Sequence, residues 1–166
     1  MRIRMLFAIA VLLTSCRETA NGGYVEVTGK LFIFNYRVAT ATYVVTLGKL
    51  RPLSDGMIVQ AAFDDPAGGS TIIVDQKVWP KLEKIAIESP PVFCVVKDRP
   101  YAFKIVLKGA DGAVLQELRG SITSSLDQSA LPDRPLVVGP VYTPNPELKG
   151  RPDGHLPGLE NMTCKI

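Results

Sequence analysis

Short runs in which apolar and polar side chains alternate with period two recur along this chain, and they limit it to packed sheets. In extended backbone, successive side chains point to opposite faces, so each such run is a half-buried strand. Ala41, Tyr43, Val45 and Leu47 share one side of the first run, with Thr40, Thr42 and Thr46 on the other. Met57, Val59, Ala61 and Phe63 form a second row. Tyr101, Phe103, Ile105 and Leu107 form the cleanest one, with Lys104 and Lys108 facing away. Val114, Leu118 and Ile122 share a face with Gln116 and Gly120, while Glu117, Arg119 and Ser121 point outward. Residues 31–36 are apolar on both sides, as in a central strand. Weaker candidates are 71–75 and 83–88. Only 76–85 could hold a helical turn or two, and Pro80 interrupts it.

Turn chemistry separates these runs. Asp55-Gly56 and the stretch from Asp64 to Gly69 bracket the second row, and Gly109-Ala110-Asp111-Gly112 follows the third. Asp-Gly in a short loop is a strong hairpin signal. About seven short strands with frequent turns define an all-β chain and fit a two-sheet Greek-key sandwich. The segment Pro100-Tyr101-Ala102-Phe103-Lys104-Ile105, with the Asp-Gly hairpin after it, resembles the sixth strand of immunoglobulin and fibronectin type III domains. The resemblance implies an immunoglobulin-like β-sandwich in which the Tyr101 hydroxyl turns back to the backbone just upstream. The antibody cysteine pair and core Trp are missing, and the single Trp79 precedes a proline in a connection.

The chain opens with Arg2 and Arg4 before an apolar run from Met5 to Leu13, the layout of an export signal. That run is too short to cross a bilayer, which takes about 20 apolar residues. Leu13-Thr14-Ser15-Cys16 resembles the lipobox of bacterial lipoproteins. The resemblance implies cleavage before Cys16, lipid on its thiol, and residence in the cell envelope. With Arg17 in place of Asp after the cysteine, it implies the outer membrane, facing the periplasm. The expected organisation is a signal peptide (1–15), a lipidated Cys and polar tether (16–23), a sandwich (24–123) and an irregular Pro-rich C-terminal extension pinned to the domain (124–166). Seven of the 13 prolines lie between Pro132 and Pro157.

Of the 19 Lys and Arg residues, Arg2 and Arg4 leave with the signal, so 17 basic face 16 acidic side chains. The signs are interspersed, and nucleic-acid binding, which needs a concentrated positive face, is not expected. Cys94 and Cys164 remain as an even pair in an oxidising compartment and are expected to form a disulfide.

Chemistry-bearing patterns are sparse, and no catalytic residue, metal ligand or cofactor is assigned. His155, the only histidine, lies in the irregular tail, where nothing in sequence holds it against a nucleophile. Asp64 and Asp65 lack the alternating ligands of a calcium loop and read as a solvated turn. Phe32, Phe34 and Tyr36 are the one aromatic row spaced to stack a sugar if turned outward, against core packing as the default. The expected function is a non-catalytic interaction or assembly module of an envelope protein complex, similar in size and layout to pilotin or adaptor lipoproteins. A polysaccharide-binding module is the alternative, and a hydrolase using His155 a more distant one.

Overall fold

The computed structural model describes residues 22–156 and Cys164. The signal, Cys16 and residues 17–21 of the tether lie outside the described residues, as do 157–163 and 165–166.

The alternating runs become strands of two antiparallel sheets. One holds β1 (Val25–Asn35), β2 (Thr40–Lys49) and β5 (Lys84–Glu88) in the order β1-β2-β5. The other holds β3 (Ile58–Phe63), β4 (Ile72–Lys77), β6 (Tyr101–Lys108) and β7 (Val114–Ile122) in the order β4-β3-β6-β7. The chain changes sheet after β2, β4 and β5. Between the sheets lies the core. Tyr43, Val45, Leu47, Val59, Ala61, Phe63, Ile85, Ile87, Phe103, Ile105 and Leu107 are all buried there. Tyr43 stacks on Phe63 with ring centroids 4.9 Å apart, and Phe32 closes on Tyr43 at 4.4 Å.

Three sequence expectations are corrected. Residues 31–36 are not central: β1 is longer than its apolar run and lies at a sheet edge. Its register shifts between Val27 and Gly29, and this bulge resets the alternation. Val25 is buried before it, Phe32 and Phe34 pack on the core after it, and Leu31 and Ile33 are left outside. Val114 is 62 % exposed instead of facing the core, because a second register shift, between Leu107 and Lys108, moves the start of β7. The possible helix at 76–85 is absent: β4 runs to Lys77, a Pro80 turn follows, and β5 begins at Lys84.

The extension is folded back on the domain. Val137–Val138 (β8) pairs with Thr143–Pro144 (β9) as its own ribbon, not as an edge of a main sheet. Two 3₁₀ turns, Gln128–Ala130 and Pro146–Leu148, are capped by Asp127 and Asn145. The Leu136 N–H donates to the Arg37 carbonyl at 2.8 Å, and the Tyr36 hydroxyl to the Asp153 carbonyl at 3.1 Å. The Cys94–Cys164 disulfide, spanning 70 residues of sequence, ties the far end to the domain. The extension thus covers the end of the sandwich that carries the β1–β2 turn, opposite the end at which β1 begins.

Candidate interaction surface

The two outer faces of the sandwich differ in arrangement. On the four-stranded sheet Lys104, Lys108, Glu117 and Arg119 face outward and are hydrogen-bonded or ion-paired, while Ile58, Ile73 and Val114 stand exposed on the same side at 40, 54 and 62 %. Lys104 reaches Glu117 at 2.9 Å, Arg119 joins the same carboxylate, and Lys108, Gln60 and Asp75 form a second chain. The hydrogen bond from Lys104, and then that from Arg119, holds the Glu117 carboxyl below its usual range. The charged part of this face is satisfied in water.

The three-stranded sheet carries its exposed apolar groups in a row along one edge strand. Leu31 lies directly opposite Val44 and Ile33 opposite Thr42, with Leu31 48 % and Ile33 44 % exposed. Thr42 donates to Glu88 at 3.1 Å beside them. Exposed apolar groups continue through the hairpin tip at Tyr36 to the extension, where Val141 and Tyr142 stand out and Arg37 lies 5.2 Å from the Tyr142 ring centroid. Among the described residues no strand pairs with the outer edge of β1. The bulge and Lys30 guard the middle of this edge, two ordinary devices against unwanted pairing. Beyond Lys30 the edge is free and apolar.

Phe32, Phe34 and Tyr36 do not form one outward row. Phe32 and Phe34 turn to the core, with Phe32 edge-on to Tyr101 at 5.6 Å, and only Tyr36 points out. The sequence hid this because Gly29 reads as an ordinary strand glycine. Leu31 and Ile33, the exposed pair, were masked by the same continuous apolar run.

The remaining sequence candidates are also placed. Tyr101 makes the expected corner: its hydroxyl accepts from the Val96 N–H at 2.8 Å and donates to the Cys94 carbonyl at 3.5 Å. Asp64 and Asp65 serve backbone, accepting from the Ala102 and Ala67 N–H groups at 2.8 and 2.9 Å. His155 Nδ1 lies 3.6 Å from Asp133 Oδ2, and that oxygen also accepts from the Leu156 N–H at 2.8 Å. Asp133 borders a cavity of about 180 Å³ beside the disulfide, lined also by Phe93, Gln128, Ser129 and Leu131. Tyr43 sits in the core and donates to the Asp64 carbonyl at 3.0 Å. Burial first, then the nearby Tyr101, Asp64 and Asp65, push its hydroxyl pKa well above the ordinary tyrosine value.

Gln116, a polar residue on the inward row of β7, proves structural. It accepts from the Tyr24 and Val25 N–H groups at 2.7 and 3.0 Å, and donates to the Val25 carbonyl at 2.8 Å. It fixes the start of β1 to the opposite sheet.

Fold and surface together define an all-β sandwich with charge pairs on the β6 and β7 side, an apolar free edge along β1, and a stapled extension. No family model matches the chain, and no curated protein matches it.

Proposed function

We propose that this chain is a lipid-anchored, non-catalytic interaction module of the cell envelope. Cys16 holds it to the outer membrane on the periplasmic side, and it binds a protein of a larger complex. The partner seats on Leu31, Ile33 and the free edge of β1. The single observation that carries the binding face is the run of exposed Leu31, Ile33 and Tyr36 along the free edge of β1 and its hairpin tip, continuing to Val141 and Tyr142 on the extension. The ion pairs of β6 and β7 gain little from a partner, whereas exposed Leu31 and Ile33 gain about 25 cal/mol for each Å² removed from water. An open edge also offers backbone groups for strand addition. The export signal and lipobox support the location. The strand order and the Tyr101 corner support an immunoglobulin-like Greek-key sandwich.

A photo-crosslinking residue placed at Ile33, in cells, tests the face. One discrete adduct from position 33 and none from Arg119 on β7 is the expected result. Adducts from both positions, or from neither, would refute the assignment.

A further inference from the structure

A second surface lies at the opposite end, where the tether joins the domain. An open groove of about 560 Å³ is lined by residues 48–52 and 80–84. Four of its lining side chains are cationic, Lys49, Arg51, Lys81 and Lys84, against one carboxylate, Glu83. The chain after residue 15 is otherwise nearly balanced in charge, so this is a local concentration. Leu50, Leu82 and Trp79 stand exposed beside it, at 52, 56 and 52 %. Lys77 lies 4.8 Å from the Trp79 ring centroid, and Lys49 donates to the Trp79 and Pro80 carbonyls at 2.9 and 3.1 Å.

The emerging chain is pinned at this groove. Arg51 donates to the Gly23 carbonyl at 3.2 Å and its guanidinium lies 4.6 Å from the Tyr24 ring centroid. The Leu50 N–H donates to the Tyr24 carbonyl at 2.9 Å, and Gln116 holds Tyr24 and Val25 from the other sheet. Six residue steps separate Gly22 from Cys16, a reach of roughly 20 Å at most. A lipid on Cys16 therefore keeps this end of the sandwich next to the bilayer.

We propose that the groove end, with Lys81, Lys84, Arg51 and Trp79, docks onto the anionic phospholipid surface, so that the domain stands on the membrane in one orientation. The inference rests on the lipid-anchor reading above. Lysines and arginines near an anionic leaflet are attracted to it, and tryptophan prefers the headgroup zone. The docked pose turns the extension-covered end outward and leaves the free edge of β1 accessible from the side.

Trp79 is the only tryptophan, so its fluorescence reports this face alone. The purified full-length product is checked by mass and reconstituted into vesicles carrying a headgroup spin-labelled quencher. The vesicles are made of phosphatidylcholine, with or without phosphatidylglycerol. Trp79 is expected to be quenched only where phosphatidylglycerol is present, and released by high salt. Replacing Lys81→Gln with Lys84→Gln is expected to lower the docked-to-undocked ratio roughly 30-fold while the protein still floats with the vesicles. An acylated protein that floats but shows the same Trp79 emission in both lipids overturns the docking inference alone. A mass without lipid on Cys16 overturns the anchor and the docking together.

Discussion

Tyr101→Phe removes one oxygen and leaves the ring, which makes it the sharpest test of the packing described above. Tyr101 is 2 % exposed, and the ring keeps its edge-on contacts with Phe32 and Tyr43 in the variant. What disappears is the acceptor of the Val96 N–H, a 2.8 Å hydrogen bond across a tight corner. The Val96 N–H is part-buried, and leaving it without this partner costs about 1–2 kcal/mol. With a urea slope of about 2 kcal/mol per molar, the unfolding midpoint should fall by roughly 0.5–1 M. Tyr43→Phe is the internal control. Its hydroxyl donates to the Asp64 carbonyl, and a carbonyl tolerates losing one partner better than an N–H does. The expected order of loss is therefore Tyr101→Phe above Tyr43→Phe, read by urea unfolding with Trp79 fluorescence. Hydrogen exchange at the Val96 amide should accelerate in the first variant only. A midpoint unchanged in Tyr101→Phe, or the reverse order, would refute the claim that the corner hydrogen bond stabilises the fold.

Three further outcomes are expected. The raised pKa of Tyr43 means the folded state keeps a proton that the unfolded chain releases near pH 10. Its contribution is thus fully present below that pH and is lost as pH rises toward the folded-state value. Urea midpoints measured from neutral to strongly alkaline pH should fall less steeply in Tyr43→Phe than in the parent. Gly120→Ala would place a methyl 2.6 Å from the Phe103 ring, which is buried opposite it across β6 and β7, and should cost about 1–3 kcal/mol in thermal unfolding. Adding Phe103→Leu should recover part of that loss. Replacing Cys94→Ala with Cys164→Ala opens a crosslink of sequence separation 70 and should cost about 4 kcal/mol in the chain-entropy account. Exchange protection of the extension around Leu131 and Leu148 should fall before that of β6.

The strands were legible in this sequence wherever the alternation ran unbroken. Every member of the Ala41–Leu47 and Tyr101–Leu107 rows is buried, because one strand pleat buries one residue in two. Legibility failed at the two register shifts. A bulge adds one residue to a strand without changing its composition, so the pattern before Gly29 could not be joined to that after it. The same shift hid the interaction surface, because Phe32 and Leu31 exchange faces on a one-residue slip. The tether-end groove was invisible for another reason. Lys49 and Arg51 lie about 30 residues before Lys81 and Lys84 in sequence, and only the return of β5 beside β2 gathers the two pairs. Tyr101 was legible because a corner hydrogen bond is local, closing within seven residues.

Intact-mass analysis of the natural product, extracted from membranes, tests the central claim most directly. The account predicts a chain that begins at Cys16 and carries acyl groups on it, with Cys94 and Cys164 oxidised to each other. An unmodified amino terminus on a protein that fractionates with the cytosol would contradict it.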